Sequence, residues 1–293
     1  MSEALALKIA LGRHDHVRPL KNGTVTSDRV TFEFIEYDPL PRAFRTMVRG
    51  GDIDVGEMAM TTHLLALEFG KPLTALPIPL WRRLHHGNLV CLADAALRGP
   101  EALEGTKVGV RAYSQTTGVW VRGILKSQYG VALDRITWVT MEDAHVAEYR
   151  DPPNAVRAPG GRSLRDLMRA GEVSAVMGER DVDPAGVRPV IPDSEAAAAQ
   201  WSERTGIFPV NHIVSVRTEL LVRHPWLSGE LMRMFDEARL LSETSGAADA
   251  RPYGLEPNLA SLQALCDFAA DQQLTSRIYK AEEVFRQPRA GNG

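Results

Sequence analysis

Three segments concentrate imidazole and guanidinium groups at turn-like positions. Gly12-Arg-His-Asp-His-Val-Arg18 packs His14, Asp15 and His16 between Arg13 and Arg18. A carboxylate beside an imidazole orients it and raises its pKa, which makes a proton donor near neutral pH. The same residues also read as a solvated charged turn, and both readings stand on sequence alone. Trp81-Arg-Arg-Leu-His-His-Gly-Asn88 is the densest polar cluster. Arginine forks such as Arg82 bind carboxylates bidentately, and paired histidines can move a proton. Adjacent residues such as His85 and His86 seldom face one ion, so no zinc site is expected there. Arg204-Thr-Gly-Ile-Phe-Pro-Val-Asn-His212 runs directly into the apolar, β-branched Ile213-Val-Ser-Val-Arg217. Its glycine, proline and His212 lie in the turn before a strand, where a chain crossing between lobes can turn a polar side chain toward a cleft. Structural packing is the plainer reading of a lone histidine.

Three further segments have the composition of binding walls. In Glu57-Met-Ala-Met-Thr-Thr62, a strand ends in hydroxyl residues before a helix, so Thr61 and Thr62 offer hydroxyls and backbone N–H groups to a carboxylate. An ordinary helix cap is the alternative. Glu57 acts as acid or base if buried, or else forms a salt bridge within its lobe. Tyr113-Ser-Gln-Thr-Thr-Gly-Val-Trp-Val-Arg-Gly123 puts Ser114, Gln115, Thr116 and Thr117 at a helix N-terminus, where free N–H donors and the positive dipole end hold an anion. No phosphate-loop lysine follows, so a nucleoside triphosphate is not implied. Met177-Gly-Glu-Arg180 ends a strand and brings Glu179 within reach of the same cleft.

The elements that must position these groups alternate. Strands are expected at Leu5–Leu11, Val30–Glu36, Ile53–Met60, Thr106–Val110, Ile136–Thr140, Val173–Met177 and Ile213–Val216, from apolar or alternating runs. Helices are expected at Pro41–Arg49, where Phe44, Met47 and Val48 share one face, and at Leu64–Phe69 with Thr61 or Thr62 as cap. Further helices are expected at Thr116–Gln128, opened by Ser114, Thr116 or Thr117, and at Ser163–Gly171, Gly229–Leu241 and Asn258–Asp271, with residues 148–162 a surface loop. This grammar indicates α/β layering with largely parallel sheets.

Bulk properties narrow the function classes. The 293 residues are 44% hydrophobic, enough for a substantial core in one large or two medium domains. A net charge of −3 leaves no general electrostatic footprint for nucleic acid or membrane. Cys91 and Cys266 lie in apolar surroundings and read as buried thiols, and no metal-ligand spacing is present. Met1-Ser-Glu-Ala-Leu-Ala-Leu-Lys-Ile-Ala lacks the basic and apolar regions of an export signal, so a cytoplasmic location is expected.

The strings at 113–123 and 204–217 together resemble the 4,5-dihydroxyphthalate decarboxylase family. Arg45-Thr-Met, Asp54-Val-Gly-Glu57, His224-Pro-Trp226 and Pro252-Tyr-Gly-Leu-Glu-Pro-Asn258 extend the resemblance along nearly the whole chain. Asp15 and Arg18-Pro-Leu20 match the family's first segment, with His14 for a tyrosine and His16 for an arginine. Arg82 and His86 match its second, with Leu84 for an aromatic and His85 for an arginine.

The resemblance implies a two-lobed type II periplasmic-binding-protein-like fold. Residues 1–92 and 205–293 would form a discontinuous first lobe, and 93–204 the second. It also implies cofactor-independent decarboxylation of an aromatic carboxylate in the interlobe cleft. His14 with Asp15, His86 and His212 are then the proton-transfer candidates, with Arg13, Arg18 and Arg82 as carboxylate clamps. The rival readings are a solute-binding protein for a small organic anion, and another lyase or isomerase on the same scaffold. The C-terminal helices pack either on the core or on a second subunit.

Overall fold

The computed structural model describes residues 3–177, 186–243 and 252–288. The chain begins with β1 (Leu5–Ala10), α1 (Arg18–Lys21), β2 (Val30–Phe34) and α2 (Pro41–Val48). It continues through β3 (Val55–Ala59), α3 (Met60–Glu68), β4 (Leu73–Arg82) and β5 (Leu89–Leu92). Next come β6 (Lys107–Val110), α4 (Thr116–Tyr129), β7 (Thr137–Thr140), β8 (Ala155–Arg157), α5 (Leu164–Arg169) and β9 (Ala175–Met177). The remainder is β10 (Val187–Pro189), α6 (Ser194–Thr205), β11 (Val210–Arg217), α7 (Thr218–Arg223), α8 (Leu227–Glu243), α9 (Leu259–Asp271) and α10 (Ala281–Val284).

Two units result. The first comprises Met1–Arg82, Val210–Leu259 and Tyr279–Gly293, and the second Arg83–Pro209 and Ala260–Ile278. The expected boundaries at 92/93 and 204/205 thus meet observed ones at 82/83 and 209/210, and α9 joins the second unit.

The first unit has a five-stranded sheet in the order β2-β1-β3-β11-β4. β1 runs parallel to β2 and β3, whereas β11 is antiparallel to β3 and β4, so the sheet is mixed rather than largely parallel. β3 is the middle strand and all five of its residues are buried, which matches its run of small and apolar residues around one glutamate. The core joins Ile9, Val55, Ile78, Val214 and Val216 of the sheet to Leu231, Met234 and Phe235 of α8. Each such side chain contributes about 1.5–3 kcal/mol by leaving water. β2 alternates buried and exposed residues, as its sequence period requires of an edge strand.

The second unit carries a six-stranded sheet in the order β10-β5-β9-β6-β7-β8. β8 lies inside the stretch expected to be plain loop. It is a three-residue edge strand parallel to β7, too short to leave a periodic signal. α4 is buried along most of its length and packs on α9. Trp120 meets Phe268 edge to face at 5.7 Å, and the Gln272 amide donates to the Val119 carbonyl at 2.9 Å. Those contacts are why α9 belongs to this unit. Cys91 and Cys266 are buried free thiols. Among the described residues, no helix is long and apolar enough to cross a membrane.

Two expected helix starts are corrected. α3 begins at Met60, with extended Ala59 as its cap, and α4 is capped by extended Gln115. Neither cap residue makes a side-chain capping bond. A hydroxyl caps only from the extended position before the first turn. Thr61, Thr62, Thr116 and Thr117 already lie inside the helices, and Ser114 lies one residue too early.

Candidate active site

Glu57 stands at the centre of β3 with its side chain fully buried. Val214 of β11 pairs directly with Glu57, and His212 pairs with Ala59 two residues further on. Side chains of directly paired residues, and of their i±2 neighbours, share one face of a sheet. His212 is therefore the diagonal cross-strand neighbour of Glu57, and its Nδ1 reaches Oε1 at 2.6 Å. The pairing of β11 with β4 shifts register on both sides of His212, a bulge that re-aims its ring. That ring is held edge to face by Phe44 of α2 at 5.1 Å and in a tilted contact by Trp81 of β4 at 4.8 Å.

The loop after β1 closes over the other side of the carboxylate. The Gly12 N–H donates to Glu57 Oε2 at 2.8 Å. His14 Nε2 lies 3.0 Å from Oε1 and 2.9 Å from Oε2. A Cβ on Gly12 would stand 2.8 Å from both Glu57 Oε2 and His14 Nε2, so only glycine permits this approach. Burial by itself raises the pKa of Glu57. The bonds from His14 and His212 outweigh it and hold the carboxyl well below its usual range. Glu57 is therefore an anionic acceptor at neutral pH rather than a proton donor.

His14 stacks on His16 with ring centroids 5.2 Å apart and planes 10° from parallel, and His16 meets Tyr253 edge to face at 6.4 Å. Arg13, His14, Asp15 and His16 line one side of a cavity of about 260 Å³, and Pro79, Leu80, Trp81, Arg82 and Tyr253 line the other. Arg82 is steadied by its Nη2, which donates to the Pro252 carbonyl at 3.1 Å. The Ser242 hydroxyl of α8 donates to the Asp15 carbonyl at 3.0 Å and fixes the loop from behind. The cavity thus combines two arginines, stacked imidazoles and an aromatic wall, a set that suits a flat anion.

The first unit therefore brings together His14, Glu57 and His212, with Arg13, Asp15, His16 and Arg82 on the adjoining wall. Arg18 points elsewhere: it is exposed and lies 3.6 Å from Asp15, also exposed. Thr61 and Thr62 are buried in the first turn of α3. Tyr253 and Trp81 line the cavity without having been singled out, because an aromatic side chain carries no sequence signal that separates lining from core.

The remaining candidates lie in the second unit. His85 is buried, its Nδ1 2.6 Å from the Asn88 amide nitrogen. His86 is also buried, its Nε2 2.9 Å from Gln128 Oε1 and its ring 5.4 Å from that of Trp201. Burial lowers its pKa against the opposing pull of the Gln128 bond. Tyr113, Ser114, Thr116 and Thr117 are buried around the N-terminus of α4. There Arg122 lies over the Tyr113 ring at 4.0 Å and donates to the Tyr113 carbonyl at 2.5 Å. Gln115 occupies the α4 cap itself. Glu179 lies outside the described residues. Among the described residues, no group of three or more His, Cys, Asp or Glu is arranged to hold a metal ion.

Two α/β units with mixed sheets define a periplasmic-binding-protein-like fold, and solved structures share it. The alkanesulfonate-binding protein SsuA from Xanthomonas axonopodis pv. citri, bound to MOPS, superposes with a TM-score of 0.58 at 15% identity, covering 97% of this chain and 99% of that one. SsuA from Escherichia coli also gives 0.58, at 14% identity over 100% and 95%. So does the desulfurisation enzyme DSZB in complex with biphenyl-2-sulfinic acid, at 12% identity over 95% of each chain.

In sequence, the chain is 33% identical over 273 residues to the 4,5-dihydroxyphthalate decarboxylase of Comamonas testosteroni, covering 85% of this chain and 81% of that protein. It is 30% identical over 184 residues to the Pseudomonas putida enzyme of the same name, covering 60% and 71%. The chain belongs to the 4,5-dihydroxyphthalate decarboxylase family. No protein-family model matches it.

Proposed function

We propose that the chain decarboxylates 4,5-dihydroxyphthalate or a close aromatic analogue, with proton transfer at His14 and His212. The observation that carries this reading is the buried, ionised Glu57 holding both imidazoles at 2.6–3.0 Å beside a cavity lined with arginine. The reaction needs a proton delivered to the ring carbon that bears the leaving carboxylate. It also needs the hydroxyl para to that carbon to give up its proton. The resulting dienone expels carbon dioxide, and the electron pair of the broken C–C bond restores the aromatic ring as a phenolate. The proton taken from the hydroxyl returns to that oxygen to give protocatechuate. Two imidazoles on one carboxylate can serve as donor and acceptor of those protons. Arg13 and Arg82 suit the carboxylate that is retained. His86 we assign to packing, because its buried ring is engaged by Gln128 and Trp201. A cytoplasmic location belongs to the same reading.

The test is purified protein with 4,5-dihydroxyphthalate and EDTA, following carbon dioxide and protocatechuate by chromatography. His14→Gln and His212→Asn each keep a polar atom near the one that faces Glu57 but remove the titratable ring. Each is expected to lower kcat on the order of 100- to 10,000-fold, the usual contribution of general acid–base catalysis. His86→Gln keeps a polar partner for Gln128 and is expected to stay within a few-fold of wild type. Tight binding without product would instead favour a solute-binding role, which the fold also serves in the SsuA proteins.

A further inference from the structure

We propose that Glu57 is a positioning residue that locks His14 and His212 into opposite tautomers, so that Nδ1 of His14 and Nε2 of His212 are the nitrogens that exchange protons with substrate. The second half of that statement rests on the decarboxylase reading; the lock itself does not.

An ionised carboxylate accepts hydrogen bonds and donates none. Any ring nitrogen within bonding distance of it must therefore carry the proton. His14 addresses Glu57 through Nε2 and His212 through Nδ1. In its neutral form His14 is then an Nε2–H imidazole with its lone pair on Nδ1, and His212 an Nδ1–H imidazole with its lone pair on Nε2. The ring that delivers a proton to substrate first takes up a second proton at that lone pair. Nδ1–H is the less populated tautomer of free histidine, so its presence at His212 would have to be imposed. The ionised state of Glu57 agrees with this, since both bonds lower its pKa against the effect of burial. Neither ring can turn away easily, because His212 sits against Phe44 and Trp81 and His14 lies flat on His16.

Glu57→Gln is informative because an amide is not symmetric. The Gly12 N–H lies 2.8 Å from the Oε2 position and requires an acceptor there. The amide oxygen must occupy that position, where it still accepts from His14 Nε2. The amide nitrogen then falls at the Oε1 position, opposite His212 Nδ1. Two donors cannot face each other, so His212 has to become the Nε2–H form while His14 does not change. His212 Nε2 turns from acceptor to donor, and no residue that lines the cavity is replaced.

The measurement is ¹⁵N NMR of histidine-labelled protein, taken up in pH until the spectra show both rings neutral, with His14→Gln and His212→Asn supplying the assignments. In wild type, His14 should give the Nε2–H signature and His212 the Nδ1–H signature. In Glu57→Gln, only His212 should switch. A wrong tautomer in a serine-protease triad lowers kcat on the order of 10,000-fold, and a loss of that order in kcat with little change in KM is expected here. His212 as Nε2–H or His14 as Nδ1–H in wild type would overturn the lock, and so would a Glu57→Gln protein with both signatures unchanged. The wild-type spectrum decides even if the variant fails to fold. The expected tautomers in a protein that never produces protocatechuate would overturn the substrate reading and leave the lock standing.

Discussion

A carboxylate shut away from water loses the hydration that keeps it charged, and Glu57 offsets that loss with bonds from the Gly12 N–H, His14 and His212. A group whose pKa is depressed on folding stabilises the native state above its unfolded pKa, and that contribution fades as pH falls through the carboxylate range. His63 adds a second pH-dependent contribution of different origin. Its ring is buried in α3 with Nδ1 2.9 Å from the Ser215 hydroxyl, and burial pushes its pKa down to about 4. The unfolded chain therefore takes up a proton near pH 6.5 that the folded chain refuses. Stability should rise with pH between about 4 and 6.5, by about 3 kcal/mol in all at 1.36 kcal/mol per unit. Denaturant titrations across that window should show the slope in wild type, and His63→Asn, which keeps a partner for Ser215, should flatten much of it.

At the scale of elements, the close approach of α4 and α9 depends on a missing side chain. A Cβ at Gly123 would stand 2.1 Å from Cδ2 of Phe268, whose ring is already engaged by Trp120. Gly123→Ala gains about 1 kcal/mol of helix propensity, but overpacking of this kind costs roughly 1–3 kcal/mol. The expected result is a net loss of stability that Phe268→Ala largely relieves, so a double-mutant cycle by chemical denaturation should show strong coupling. α5 illustrates an element whose start was readable. Ser163 accepts from the Asp166 N–H at 3.1 Å while Asp166 accepts from the Ser163 N–H, a capping box between residues three apart in the chain. Elsewhere local signals misled. Thr61, Thr62, Thr116 and Thr117 look like caps, yet each entered its helix because the extended residue before the first turn was Ala59 or Gln115.

For the molecule as a whole, the chain leaves and re-enters the first unit more than once, so the site residues come from widely separated segments of one sheet. A ligand that fills the cavity and binds only folded protein should stabilise it by mass action, about 2.7 kcal/mol at 100 times Kd. Calorimetric scans with rising 4,5-dihydroxyphthalate should therefore raise Tm progressively. An unchanged Tm at saturating concentrations would count against binding at this site.

The sequence alone determined the alternation of strands and helices, the buried face of α2 and the family. Those properties rest on periodicity and on short strings, which are local in the chain. Only the tertiary structure decided that Glu57, His14 and His212 form one group. Glu57 and His212 are separated by 155 residues and meet because β11 enters antiparallel beside β3 in a register that sets His212 on the diagonal. Strand alternation fixes which residues share a face, but not which strand becomes the neighbour or in what register. For the same reason His86, equal to His212 in sequence signal, ended against Gln128 in the other unit. Identity and spacing supplied the candidates, and strand pairing selected among them.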